Sequence, residues 1–118
     1  MALLKVSTLE QLGVALAAPD QKDLQLSVAG PRGGWLRAFF VEDKGWLMYL
    51  RYQGDSGFSS RNPDYSGDPT ATRSFTLENG QIDEFPASWF YPRNIVEGVL
   101  REYALYGNRP ERIQWHAD

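Results

Sequence analysis

Residues 91–115 constrain the fold most, because their pattern indicates one helix with a sharp end. Six apolar side chains recur at helical spacing and would share one face of that helix. They are Ile95, Val96, Val99, Leu100, Tyr103 and Tyr106. Pro92 suits the first helical position, and Gly107 can take the left-handed conformation that ends a helix. Gly98 lowers helix propensity in mid-helix, which predicts a close approach of the helix to a sheet.

The chain after that helix predicts a strand that returns to it. Pro110 prevents the helix from continuing. Ile113 and Trp115 then alternate with a polar residue, as in a half-buried strand. The turn before Pro110 is short and would bring this strand beside the helix. We therefore expect Trp115 to be largely buried between the two.

A short helix is predicted near the N-terminus. Ser7 and Glu10 match a capping box, in which the serine caps the helix and the glutamate reaches back to it. Leucines at helical spacing follow to about Ala18, and Pro19-Asp20 would end the helix.

Alternation of apolar and polar residues predicts strands elsewhere. They cover residues 24–28, 35–41, 46–52, 72–77 and 81–85. Asn79-Gly80 is typical of a hairpin turn, and Gly45, available for positive φ, predicts another. Together these elements predict a single α+β domain over residues 1–118. It would contain an antiparallel sheet of about five or six strands, covered by the C-terminal helix, with the short N-terminal helix beside it.

Composition excludes several classes of function. The chain has no cysteine, which rules out disulfides, thiol catalysis and thiolate metal sites. A formal net charge of -3 argues against direct nucleic-acid binding, which needs a basic stripe. The sequence shows neither a long apolar run nor a convincing secretion signal. We therefore expect a cytoplasmic protein that does not enter a membrane.

The residues offer little catalytic or metal chemistry. His116 is the only histidine, and the absence of a nucleophile motif favours a surface role over a Ser–His–Asp triad. Asp55, Asp64 and Asp68 do not have the spacing of a calcium loop. We expect no enzymatic activity, no metal and no cofactor.

Residues 53–71 interrupt the pattern, because glycine, proline, serine and aspartate are frequent there and no periodicity is visible. A stretch of this length without regular structure tends to be functional or mobile. Phe58 and Tyr65 lie in it without a predicted element to bury them.

The order of motifs near the C-terminus resembles the immunity proteins of bacterial polymorphic toxin systems. Phe85-Pro86 comes first, then the helix opened by Pro92, then a turn and a final Ile113-Gln114-Trp115. In particular the chain resembles the first-numbered immunity family, often encoded beside deaminase toxins. The residues of the structural motif are Pro92, Gly107, Arg109, Pro110 and Trp115.

The resemblance implies a non-enzymatic protein that binds a cognate toxin as a heterodimer and blocks its active site or substrate channel. A toxin that acts on nucleic acid usually has a basic cleft, to which an acidic surface with aromatic anchors is complementary. We expect such an interface in residues 53–71 and at the edge of strand 81–85. Its residues would be Asp55, Phe58, Asp64, Tyr65, Asp68, Asp83 and Glu84.

Two alternatives remain open. In one, residues 53–71 are only a mobile connector. In the other, the chain is a small-ligand-binding or enzymatic α+β domain that uses an aromatic sheet face, with His116 in a polar pocket. The aromatic residues concerned are Trp35, Phe39, Trp46, Tyr49 and Tyr52. Their alternation along strands favours a core role over a stacking platform for bases.

Overall fold

The structure, a computed structural model, describes residues 3–17, 23–77 and 79–118. The elements in chain order are β1 (Leu3–Val6), α1 (Leu9–Leu16), β2 (Asp23–Ala29), β3 (Trp35–Val41), β4 (Lys44–Leu50), β5 (Phe58–Arg61), β6 (Thr72–Thr76), β7 (Ile82–Pro86), β8 (Tyr91–Pro92), α2 (Arg93–Tyr106) and β9 (Gln114–Ala117). A 3-10 turn, Ala87–Trp89, precedes β8.

Within the described residues, seven strands form one sheet with the order β1-β2-β3-β4-β5-β9, and β8 pairs with β4. Every pairing is antiparallel except that of β1 with β2, which is parallel. The parallel pair arises because α1 connects the two strands as a crossover. The predicted α+β class is confirmed, with a mixed sheet in place of a purely antiparallel one.

The main core lies between the sheet and the two helices. Inward-facing side chains of the central strands pack against the apolar face of α2 and against α1. The largest fully buried ones are Tyr103, Phe40, Leu12, Leu24, Leu26, Leu36, Leu47, Leu100, Val28, Val96 and Val99. The predicted helical face is confirmed except at Tyr106, which is 63% exposed. Tyr106 is the last residue of α2, and the buried face stops at Tyr103.

A second core occupies the opposite face of the sheet. The strands β6 and β7 form the predicted hairpin, but as a separate two-stranded sheet that packs over β3 and β4. Its buried residues are Phe39, Trp46, Phe75 and Phe90. Phe39 and Trp46 stack with ring centroids 4.4 Å apart. The backbone N–H of Thr76 donates to the Asp23 carboxylate at 2.9 Å and ties the hairpin to β2. These buried rings cannot serve as a platform for bases.

The turn between β3 and β4 differs from the prediction. The two connecting residues are Glu42-Asp43, and Glu42 takes the positive φ, at 55°. Gly45 lies inside β4, where an added Cβ would come within 2.9 Å of the Phe40 ring. Gly45 is therefore required for packing and not for the turn.

The reciprocal cap of α1 lies one residue later than predicted. The Thr8 side chain, not that of Ser7, accepts a hydrogen bond from the backbone N–H of Gln11 at 3.1 Å. The Gln11 side chain in turn accepts from the Ser7 backbone N–H at 2.9 Å, so Glu10 has no part in the box. The predicted end of this helix near Ala18 lies outside the described residues.

The C-terminal motif folds as predicted in outline. Pro92 flanks α2, which begins one residue later, and Gly107 caps it with φ 74° and donates its N–H to the Tyr103 carbonyl at 2.8 Å. The expected contact of Gly98 with the sheet is wrong. An added Cβ at Gly98 would instead lie 3.2 Å from the Arg112 guanidinium.

Trp115 is half-buried, not largely buried as expected. Its indole N–H donates to the Pro110 carbonyl at 2.8 Å, and its ring lies 6.3 Å from that of Tyr49. The tryptophan therefore closes the turn after α2 and covers the edge of the main core.

Candidate functional site

Residues 53–71 contain a strand that the sequence did not reveal. The strand β5 lies between β4 and β9 and pairs with both. Phe58 is the only apolar residue among its four, so periodicity gave no signal. The expected long loop is therefore two shorter segments, residues 51–57 and 62–71, on either side of β5.

Asp55 has a structural partner in the first segment. Its carboxylate accepts from Arg51 Nε at 2.8 Å and Nη2 at 2.9 Å, and from the backbone N–H groups of Arg51 and Gly57. Only 2% of the Asp55 side chain is exposed. The hydrogen bonds from Arg51 hold the pKa of Asp55 well below its usual range. Asp55 is therefore held by contacts within the protein.

The fold should lose the stabilisation from Asp55 in acid. Because its folded pKa is depressed, this stabilisation is present above the ordinary carboxyl pKa of about 4 and disappears as the pH falls through the folded value. Asp55→Asn should therefore melt below wild type at about pH 7, and the difference should shrink towards about pH 3. Thermal melts followed by circular dichroism measure this. A difference that stays constant across the range would show that Asp55 contributes through packing alone.

Phe58 makes cation–π contacts with two arginines. The guanidinium carbon of Arg51 lies 5.1 Å from the ring centre, and that of Arg109 lies 4.8 Å from it. Tyr49 packs beside the ring at 6.1 Å. Arg109 of the C-terminal motif thus contacts β5, and the half-buried Phe58 ring is held in one position before any partner binds.

The second segment is held by its own polar side chains. Asn62 donates through Nδ2 to the Phe90 carbonyl at 2.9 Å. Tyr65 donates its hydroxyl to the backbone carbonyl of Asp68 at 2.8 Å. The carboxylate of Asp68 accepts from the backbone N–H and hydroxyl of Thr70, and these bonds lower the pKa of Asp68. Residues 62–71 are therefore an ordered loop, which weighs against a mere mobile connector.

A cleft of about 700 Å³ opens between this loop, β6 and the start of α2. Asp64 and Tyr65 line one side of it, facing Lys44, Arg73 and Arg112. Three cations and one acid make this cleft basic. The acid Asp64 therefore stands among three cations, and Tyr65 lies where a partner could reach it.

Asp83 and Glu84 lie outside that cleft, on β7. They face opposite sides of the hairpin, as adjacent residues of a strand must. Gln81 donates to the half-buried Asp83 carboxylate at 2.8 Å. Glu84 is exposed and accepts from the Thr72 hydroxyl at 3.3 Å. Asp83 lies opposite Phe75, on the side of the hairpin that packs against the sheet, so only Glu84 lies on the outer face of the hairpin.

His116 does not form a catalytic arrangement. It is exposed on β9, with Nε2 3.9 Å from the Asp118 carboxylate. The neighbouring Ser59 hydroxyl donates to Asp118 at 3.0 Å, so Ser59 and Asp118 are not joined through the histidine as in a triad. His116 does not line the 700 Å³ cleft. The cleft therefore does not support the alternative of a ligand-binding or enzymatic domain with His116 in its pocket.

Within residues 3–17, 23–77 and 79–118, no three acidic or histidine side chains are grouped so as to hold a metal ion. No helix in that part of the chain has the length and apolar character needed to cross a membrane.

Comparison with known families identifies the class of protein as an immunity protein. The family model described as Immunity protein Imm1 matches residues 6–117, and the chain belongs to that family. The resemblance noted in the C-terminal third is confirmed and extends over nearly the whole chain. Proteins of this family inhibit toxins without catalysis, in agreement with the expectation that the chain is not an enzyme. None of the curated proteins matches the sequence.

Proposed function

We propose that the protein protects a cell by binding one cognate toxin as a heterodimer and covering its active site or substrate channel. The family match over residues 6–117 carries this proposal. We further propose that the toxin is a deaminase that acts on nucleic acid and that inhibition takes place in the cytoplasm. The frequent pairing of the resembled family with deaminase toxins supports the choice of chemistry.

We place the interface on β5, the loop of residues 62–71 and the exposed face of the hairpin. Phe58 and Tyr65 supply aromatic surface that is held in place by internal contacts, so little conformational entropy is lost on binding. Asp64, Asp68 and Glu84 supply negative charge on this surface beside the cations of the cleft, and the half-buried Asp83 adds its charge from the packed side of the hairpin. Asp55 acts indirectly, because it fixes the turn that leads into β5.

Aromatic and acidic substitutions should affect different rates. Phe58→Ala and Tyr65→Ala remove aromatic surface that would pack against the toxin, so each should raise the dissociation rate, by about tenfold or more. Asp64→Asn should mainly slow association and weaken its salt dependence, because a charge at the rim acts at a distance. Biolayer interferometry with a catalytically inactive form of the toxin encoded beside this gene measures both rates.

Two matched controls are available on the helices. Tyr106→Ala removes an exposed tyrosine from the end of α2, and Glu10→Gln removes an exposed acid from α1. Neither should change either rate. Wild-type rates in all three interface variants would place the interface elsewhere. Failure of the wild-type protein to bind the toxin would overturn the proposed function itself.

A further inference from the structure

The hairpin covers only part of its face of the sheet. Strand register places Lys5 opposite Ser27, Ser27 opposite Arg37, and Arg37 opposite Met48. Residues opposite one another share a face, so this row lies on the same side as the buried pair Phe39 and Trp46. The hairpin buries that pair but leaves Arg37 and Met48 only partly buried.

A cavity of about 460 Å³ lies over this uncovered part. Its lining includes two cations, Lys5 and Arg37, and no acidic residue. Trp35, Tyr52 and Leu50 are also part of its lining and contribute apolar surface. The cavity therefore combines positive charge with apolar surface.

Three buried polar atoms on this face have no hydrogen-bond partner among the described residues. They are Arg37 Nε, which belongs to the cavity lining, and Gln25 Oε1 and Trp46 Nε1, which lie on the same face outside that lining. Gln25 is only 7% exposed. Buried polar groups in folded proteins are nearly always paired, so the unpaired Arg37 Nε offers a hydrogen-bond donor to a ligand or partner that enters the cavity.

We propose that this cavity receives a carboxylate side chain from an acidic segment of the cognate toxin, an inference that rests on the proposed function. The Arg37 guanidinium can donate two parallel hydrogen bonds to a carboxylate, and the Lys5 ammonium adds a second charge. The rim of Trp35 and Tyr52 contacts the apolar residues beside that acid. Arginine, tryptophan and tyrosine are the residues that most often dominate protein–protein binding energy.

Charge complementarity favours this site for an acidic segment. The whole chain carries a net charge of -3, whereas the charged residues that line this cavity are both cations, so the cavity attracts acids. An inorganic anion could pair with the two cations but would make no apolar contact with the rim of Trp35 and Tyr52. Tyr52 and Gln53, at the rim, lead directly into residues 53–71, so the cavity is continuous in sequence with the interface proposed above.

The test measures the affinity of purified variants for the inactive toxin. Arg37→Met keeps the length of the side chain and removes its charge, and should raise Kd at least about 30-fold, as truncation of a buried charge pair does. Lys5→Met should have a smaller effect in the same direction. Arg101→Met removes an exposed cation from α2 and should leave Kd unchanged. Arg37→Glu should abolish binding, and reversal of one toxin acid to lysine should restore it.

The stability of the free variants distinguishes binding from folding. Because Arg37 Nε has no partner, the free Arg37→Met protein should melt at or above the wild-type temperature. A clear fall in melting temperature would mean that the guanidinium serves the fold, and would overturn the proposal. Wild-type affinity in the Arg37 and Lys5 variants would overturn it while leaving the proposed function intact. The cavity would instead be a site for an inorganic anion if phosphate raised the melting temperature of wild type but not of Arg37→Met, while both proteins bound the toxin with equal affinity. That result would also overturn the proposal and leave the proposed function intact. Absence of binding by the wild-type protein would overturn both.

Discussion

Replacing Tyr103 with alanine should lower the free energy of unfolding by about 3–5 kcal/mol, the usual range for truncation of a buried aromatic residue. Tyr103 is only 1% exposed and packs edge-on against Tyr49, with ring centroids 6.1 Å apart. Its hydroxyl lies under the turn between β2 and β3, where a Cβ at Gly30 would overlap it. The ring thus joins α2 to the sheet and to that turn. Urea denaturation measures the loss.

The variant Tyr103→Phe is the control, because it keeps the ring. The hydroxyl makes only a long contact of 3.4 Å with the Gly33 carbonyl, so the loss at neutral pH should be small. Burial raises the pKa of Tyr103 to about 12. The folded state therefore favours the neutral phenol. The free energy of unfolding should fall as the pH rises from about 10 towards the pKa of Tyr103 in the folded state. Tyr103→Phe should keep its stability there while wild type weakens. A loss below about 1 kcal/mol in Tyr103→Ala would show that the core tolerates the cavity.

The sequence predicted well those elements whose buried residues recur at a single regular spacing. The α2 face from Val96 to Tyr103 is buried on one side only, so its apolar residues recur at helical spacing. The strand β3 matches the predicted residues 35–41, although it is covered on both faces in part. The turn of the β6–β7 hairpin also had a strong local signal in Asn79-Gly80, and Gly80 takes a φ of 89°.

The elements that were missed depend on partners distant in sequence. The strand β1 has four residues and is held by parallel pairing with β2, and β5 owes its place to β4 and β9. Neither carries an apolar period of its own. The second core was missed because the register that unites Phe39, Trp46 and the hairpin is a tertiary property.

The candidate site also combines features that the sequence indicated with features that it did not. The aromatics of residues 53–71 were recognised as unusual, and Tyr65 does line a cleft. The role of Asp55 had an available signal, because Arg51 stands four residues earlier across a glycine-containing turn. The cationic cavity had no signal in the sequence. Lys5 and Arg37 come into one row only because β1 pairs with β2 and β2 with β3.

Replacing Trp46 with alanine should also cost about 3–5 kcal/mol, but through the second core. Trp46 is 2% exposed and lies between Phe39, Phe85 and Trp89, with ring centroids 4.4, 4.8 and 5.3 Å away. Phe85 and Trp89 belong to the hairpin and to the turn that follows it. Loss of the indole should therefore loosen the hairpin in addition to lowering global stability, as measured by urea denaturation and native-state hydrogen exchange.

Hydrogen exchange separates the two cores. In Trp46→Ala, amides of β6 and β7 should exchange well before those of α2, because fewer contacts hold the hairpin to the sheet. In Tyr103→Ala, of similar global stability, the hairpin should gain no such additional mobility. Trp46→Phe is the control, since it keeps a stacked ring against Phe39 and removes an indole N–H that has no partner among the described residues. Equal exchange of hairpin and helix in Trp46→Ala would show that the two cores unfold as one unit, and that the hairpin surface bearing Glu84 is as firmly held as the sheet beneath it.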